Sequence, residues 1–142
     1  ITAYSICLIL FQRDYYTSYQ KVADAYLAAG IKECVNYALE ACEQTGLHTI
    51  TVEQGAQWSR LLLFTEILPS DYLASVEYDP DMYPAPASFT YNGIRINTRI
   101  NYDDIRSNSI YIIYYTDVPL FESNYTLIKF YDWYVAIPII NQ

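Results

Sequence analysis

The segment SFTYNGIRINTRIN, residues 88–101, constrains the fold of this chain more than any other stretch. Its Asn92-Gly93 pair is the preferred dipeptide of a two-residue type I′ β-hairpin, because both turn residues need a positive φ. A loop of this length places Tyr91 opposite Ile94 on the neighbouring strand. Apolar and polar side chains alternate on both sides of the turn, so one face of the hairpin is predicted to be buried and the other wet.

The two faces of this hairpin predict different environments. We expect the apolar face to continue as far as Ile100. With Tyr102 nearby, the polar face offers a small stacking platform for a base or a sugar. The alternative, a strand face that is simply solvated, is favoured because the basic residues of the chain do not cluster in the sequence. The polar face carries Arg95, Asn97, Arg99 and Asn101.

The aromatic segment IYIIYYTDVPLFESNYTLIKFYDWY, residues 110–134, predicts two further strands, near 109–116 and 125–137. The first has apolar or amphipathic residues on both faces, which is typical of a central strand or of one covered by a partner. The second places Lys129 among aromatic rings, as on a surface that is partly wet. Pro138 indicates that this strand lies at an edge or is ending.

These two strands carry more aromatic rings than one buried face of a small sheet can hold. Tyrosine and tryptophan are enriched at protein interfaces, where they provide rigid contact area. We therefore expect the segment to form a subunit interface as well as part of the core. The candidate interface residues are Tyr111, Tyr115, Tyr125, Tyr131, Trp133 and Tyr134.

A helical pattern occupies most of the first third of the chain. Asp14 is a suitable N-cap, and apolar residues then recur at helical spacing until Gly46, which takes the position just after the helix. Gly30 is expected to mark a kink or a break. Cys34 and Cys42 lie eight residues apart, too far along a helix to pair, so we expect buried free thiols.

A second helix is predicted to start near Thr51, because Thr51 and Gln54 match a capping box, and to end at Pro69. A proline-rich connector follows at about 78–88. Helices precede strands, which indicates an α+β fold: N-terminal helices, about 14–70, packed on a mainly antiparallel, aromatic-rich β-sheet, about 88–140. The length of 142 residues suits a single domain, 1–142.

The charge of the chain argues against two classes of partner. Sixteen acidic residues against eight basic ones give a net charge of -8, which opposes binding to nucleic acid or anionic lipid. The apolar run Tyr4–Phe11 is too short to cross a membrane. We therefore expect no direct sequence-specific contact with nucleic acid and no membrane association.

No motif in the sequence predicts catalysis, a cofactor or a metal. Cys7, Cys34, Cys42 and His48 lack the spacing of a zinc site. The alternating acids of Glu77–Asp81 lack the glycine and the final glutamate of a calcium loop. Nucleotide-binding and nucleophile-elbow motifs do not occur. The sequence therefore favours a protein without catalytic residues, cofactor or metal ligands.

Together these patterns favour a non-catalytic structural or assembly protein, such as a virion component or a head-to-tail connector subunit. It is expected to form a homo-oligomer or to join a larger assembly through protein–protein interfaces, in the virion or the cytoplasm. The alternative is a small acidic inhibitor or immunity-type protein that captures a basic partner. A third class, a small enzyme or ligand-binding domain with a tyrosine-lined pocket, stays open.

Overall fold

The computed structural model describes residues 30–53, 58–80 and 86–139. Within these ranges the helices are α1 (Ile31–Thr45), α2 (Trp58–Thr65), α3 (Pro69–Ser75) and the short α4 (Val118–Phe121), with a 3₁₀ helix at Tyr115–Asp117. The strands are β1 (Thr49–Val52), β2 (Glu77–Tyr78), β3 (Pro86–Tyr91), β4 (Ile94–Asn97), β5 (Ile110–Tyr114), β6 (Tyr125–Phe130) and β7 (Trp133–Pro138).

All seven strands form one sheet in the order β2-β3-β4-β1-β5-β7-β6. β1 runs parallel to both of its neighbours, β4 and β5, and the other four pairings are antiparallel. A helix followed by a mostly antiparallel sheet with aromatic clusters is an α+β fold. The fold class predicted from the sequence is therefore confirmed.

The β3–β4 hairpin has the predicted turn and register. Tyr91 pairs with Ile94, and Asn92 and Gly93 have φ values of 49° and 78°, as a type I′ turn requires. The predicted apolar face ends earlier than expected, because β4 stops at Asn97. The prediction for Ile100 was therefore wrong, since this residue packs in a cluster on the opposite face of the sheet.

Helix α1 confirms the second part of the long helical pattern. It ends at Gly46, whose φ is 72° and whose N–H donates to the carbonyl of Cys42 at 2.9 Å. Cys34 and Cys42 are buried and unpaired, as expected. Burial raises the pKa of the Cys34 thiol to about 12 and that of Cys42 to about 11. The predicted helical turns from Asp14 to Ala29, the run Tyr4–Phe11 and Cys7 lie outside the described residues.

β1 corrects the prediction of a helix starting near Thr51. The segment Thr49–Val52 is a strand at the centre of the sheet, where Ile50 pairs with Ile96 on one side and Ile110 on the other. All four of its residues are β-branched, which favours a strand over a helix. α2 begins only at Trp58, and Gln54 lies outside the described residues.

Helices α1 and α3 lie on one face of the sheet. α1 packs on β1, β5, β6 and β7, whereas α3 packs on β3. The buried residues of this layer include Val35 and Ala38 from α1 and Phe89, Ile112 and Val135 from the sheet.

The opposite face of the sheet is covered over β5, β7 and β6 only. Here Tyr111, Ile113 and Phe121 pack together with Tyr125 and Ile100. The covering residues come from α4 and from the loop between β4 and β5, residues 98–109. β5 is therefore buried on both faces, as its sequence predicted.

The predicted strand 125–137 is two strands, and this boundary was wrong. β6 and β7 form a hairpin in which Phe130 pairs with Trp133 across a turn at Tyr131 and Asp132. Tyr131 takes a positive φ of 56° in that turn. This conformation is unfavourable for a bulky residue, so the sequence did not predict a turn at this position. Tyr115 likewise lies in a 3₁₀ helix and not on a strand.

The predicted connector at 78–88 is shorter than expected. Glu77–Tyr78 forms β2, which pairs with β3, and β3 already begins at Pro86. Residues 81–85 lie outside the described residues.

Candidate functional site

The six candidate interface rings divide into a buried and an exposed group. Tyr111, Tyr125 and Trp133 are buried, and Tyr134 is partly buried, with the ammonium of Lys129 5.7 Å from its ring centre. Tyr115 and Tyr131 are 54% and 67% exposed. The buried rings are core residues in the folded chain, so their side chains are not available to a partner.

Contacts inside the chain also satisfy the buried hydroxyl groups. The Tyr111 hydroxyl accepts from the Arg106 N–H at 2.7 Å, and the Tyr125 hydroxyl donates to the Arg106 carbonyl at 3.0 Å. A buried phenol needs such a partner. In this protein the loop 98–109 provides it, and no second subunit is needed for it.

The two exposed rings lie at the same end of the sheet. The Tyr115 N–H donates to the Asp132 carbonyl at 2.9 Å, which holds the end of β5 beside the β6–β7 turn. Asp117 follows two residues later in the 3₁₀ helix. We call the surface formed by Tyr115, Asp117, Tyr131 and Asp132 the tyrosine rim.

Each exposed ring of the tyrosine rim contacts a neighbour inside the chain. The Tyr115 ring centre lies 4.6 Å from that of Tyr114, which lies 5.1 Å from that of the buried Trp133. Tyr131 lies against Gly30, so closely that a Cβ atom at Gly30 would be 3.0 Å from the Tyr131 Cδ2 atom. The exposed rings therefore lose little further conformational freedom when a partner binds.

The tyrosine rim is acidic. Next to its two aspartates lies Glu53, whose Oε2 atom is buried without a hydrogen-bond partner among the described residues. Burial raises the pKa of Glu53, and the nearby Asp117 raises it further. Asp117 also accepts a hydrogen bond from the Tyr102 hydroxyl at 2.5 Å. Burial first, and then this bond, keep the pKa of Tyr102 well above its ordinary value.

A second surface lies on the part of the sheet that loop 98–109 leaves open. Two adjoining depressions of about 590 and 390 Å³ share Arg95, Asn97, Arg99 and Asn101. Their floor comes from β1, β3 and β4, and one wall comes from the loop. We call this surface the polar cleft.

The floor of the polar cleft is a ladder of side-chain hydrogen bonds across the strands. Ser88 donates to Glu77 at 3.1 Å, and Arg95 forms an ion pair with the same carboxylate at 2.5 Å. Arg95 also donates to Asn97 at 3.2 Å, and Asn97 donates to Thr51 at 3.1 Å. The Arg95 pair, followed by Ser88, holds the pKa of Glu77 below its ordinary value. The floor is therefore polar and fixed in geometry.

The sequence identified part of each surface. The hairpin alternation located Arg95 and Asn97. The expected continuation of the strand face to Arg99 and Asn101 was wrong, because β4 ends at Asn97, and these two residues line the polar cleft from the loop. Nothing in the local pattern indicated Glu53, Asp117 or Asp132, because tertiary contacts bring these acids together. The excess of acidic over basic residues in the sequence was the one feature that indicated an acidic surface.

The described residues offer neither a metal site nor a membrane span. No three histidine, cysteine or acidic side chains among them are grouped so as to hold an ion. None of the helices in the described ranges has both the length and the apolar character that crossing a bilayer requires.

Comparisons with known proteins give this chain no relative from which a role could be inferred. No protein-family model, curated protein sequence or solved structure matches it significantly.

Proposed function

We propose that this protein is a non-catalytic structural or assembly protein, of the kind found in virions and head-to-tail connectors, that binds a basic protein partner through its tyrosine rim. The observation that carries the proposal is the pair Tyr115 and Tyr131. Both rings are more than half exposed, yet each contacts a neighbour inside the chain, Tyr114 or Gly30. Rings of this kind are typical of the residues that dominate binding energy at interfaces.

The charge of the tyrosine rim supports a basic partner. Asp117 and Asp132 flank the rings, and the whole chain carries a net charge of -8. Such a field increases the rate of encounter with a basic surface and opposes an acidic one. Rim-to-rim contact between two copies would bring like charges together. A homo-oligomer is therefore expected to place the rim against a different surface of the next copy, as in a closed ring.

The same acidity favours one second candidate function, that of a small inhibitor or immunity-type protein. In that case the rim would bind a basic target in a one-to-one complex and not in a repeating assembly. The two functions use the same residues and differ in the number of copies, which a mass measurement separates.

The test compares the wild-type chain with the double variant Tyr115→Ser/Tyr131→Asn. Asparagine is chosen because it tolerates the positive φ of position 131. We expect the wild-type chain to form an oligomer by light scattering, or to co-purify from its native source with a stoichiometric basic protein. The double variant should lose that complex, since each ring contributes about 2 kcal/mol or more at such an interface.

The matched control is Leu73→Ser, because Leu73 is 71% exposed on α3, which packs on β3 and not at the rim. This variant should keep the complex. A double variant that still assembles, with an unfolding temperature like the wild type's, would contradict the proposal. So would a wild-type chain that stays monomeric and recovers no stoichiometric partner.

A further inference from the structure

We infer that the polar cleft is a binding site for a neutral saccharide. The cleft adjoins the tyrosine rim at Asp117, to which the Tyr102 hydroxyl donates, but it does not include the rings of Tyr115 and Tyr131. This site does not depend on the proposed assembly function. It rests on three features of the cleft: its balanced charge, its paired donors and acceptors, and a partly exposed aromatic ring at its margin.

The charges that line the polar cleft balance. The lining includes Arg95, Arg99 and Arg106 and also Asp79, Asp103 and Asp104. Two of the arginines are already paired within the chain, Arg95 with Glu77 and Arg106 with Asp104. In a chain of net charge -8, a cleft without excess positive charge is a poor site for a phosphate, a nucleic acid or an acidic sugar.

The polar side chains of the cleft that are not in ion pairs suit a ligand with hydroxyl groups. Each asparagine amide offers both donors and an acceptor, and hydroxyl groups of a sugar can donate and accept in the same way. Asn101 and Asn108 lie on the loop side of the cleft, and Thr49 lies on its floor. A site of this polarity does not suit an apolar ligand, since most sites for such ligands are lined by hydrophobic side chains.

Arg99 and Tyr102 are the residues most open to a ligand. Arg99 is exposed and makes no ion pair with any described carboxylate, so its guanidinium donors are available. Tyr102 is 44% exposed and lines the larger depression, while its hydroxyl group is held by Asp117. A pyranose ring binds by stacking on an aromatic ring, and Tyr102 is the partly exposed aromatic residue in the lining of the larger depression.

The experiment uses the complete chain and an array of immobilised oligosaccharides that includes neutral, sialylated and sulfated members. We expect binding to neutral glycans. The best neutral glycan is then titrated in free form while amide NMR signals are recorded. The signals that shift should belong to residues of the polar cleft and not to Tyr115, Tyr131 or Asp132.

Three variants and one control test the assignment. Arg99→Ala and Tyr102→Ala should each weaken binding about tenfold, the loss expected for one good hydrogen bond or one stacked ring. Tyr102→Phe keeps the ring but removes its hydrogen bond to Asp117, so its affinity should lie between those of the wild type and of Tyr102→Ala. Lys32→Ala, which removes an exposed charge from α1 on the helix-covered face, should have no effect.

Three results would overturn the inference: no binding to any neutral glycan, binding confined to charged glycans or inorganic phosphate, and unchanged affinity in both Arg99→Ala and Tyr102→Ala. The rim variant Tyr115→Ser/Tyr131→Asn should bind the glycan like the wild type. Failure of this inference and failure of the assembly proposal are therefore separate outcomes.

Discussion

Two glycines with positive φ lie in very different surroundings. Gly93, at 78°, lies in the exposed β3–β4 turn, and a Cβ atom there would meet nothing within 4 Å. Gly30, at 96°, precedes α1, and a Cβ atom there would lie 2.5 Å from the Phe130 carbonyl oxygen. Position 93 favours glycine only because of its positive φ. Position 30 favours glycine also because a side chain there would collide with the β6–β7 turn, which packs against it.

We therefore expect Gly93→Ala and Gly30→Ala to differ in their effects on stability. Gly93→Ala should lower the free energy of unfolding by about 1 kcal/mol, the cost of a left-handed conformation. Gly30→Ala should cost at least about 2 kcal/mol, because overpacking adds to that strain. Urea unfolding of the two variants measures the difference. Equal losses would show that the β6–β7 turn does not lie against Gly30 in solution.

The raised pKa of Glu53 makes the stability of the folded chain depend on pH. Its pKa in the folded chain is raised, so the folded state holds the proton more tightly than the unfolded state does. Stability is then lost as the pH rises from the ordinary value of about 4.3 through the raised pKa, and the loss persists at neutral pH. Glu53→Gln should remove this loss. The variant should unfold at a higher temperature than the wild type at pH 7, and at a similar temperature near pH 4.

Glu77→Gln is the control for this effect, because the pKa of Glu77 is shifted in the opposite direction. It should not raise the unfolding temperature at pH 7. If Glu53→Gln gave the same difference from the wild type at both pH values, the carboxylate charge would not be the cause.

At the scale of elements, the sequence predicted those whose signals are local. The β3–β4 turn needs only Asn92-Gly93, and the end of α1 needs only Gly46. β1 was missed because the capping-box match of Thr51 and Gln54 was preferred over its run of β-branched residues. Its place in the sheet also depends on partners far away in the chain, since Thr51 accepts a hydrogen bond from Asn97, 46 positions later. Large separations along the chain also explain why the sequence predicted only part of the polar cleft. Its floor needs the β1–β4 register, which no short pattern contains.

The two cysteines of helix α1 are expected to react slowly with thiol reagents. Cys34 and Cys42 are buried and their pKa values are raised, so the reactive thiolate is scarce at neutral pH. In a Cys7→Ser background, labelling with a thiol reagent should be slow in the native chain and rapid in urea. Rapid labelling of both cysteines without denaturant would place them outside the core.

At the scale of the whole molecule, the sheet is covered unequally. Helices α1 and α3 lie on one face, whereas on the other face α4 and the loop 98–109 cover β5, β7 and β6 and leave β1 and β4 open. This inequality creates the wall of the polar cleft. Two of the six predicted interface rings, Tyr111 and Tyr125, are buried under α4 and the loop, and Trp133 is buried in the cluster on the face that α1 covers. Aromatic content alone could not separate these roles. Burial on both faces of β5 accounts for part of the aromatic excess, and the tyrosine rim accounts for another part.

The central position of β1 has a consequence for synthesis on the ribosome. Ile50 pairs with Ile110, which is synthesised sixty positions later, so β1 lacks its second neighbouring strand until then. At translation rates of about 5–20 residues per second, this delay lasts about 3–12 s. During that time a strand of β-branched residues has an unpaired edge, and such edges are prone to pair with other chains. The order of the strands thus leaves one edge of β1 exposed to other chains until β5 has emerged.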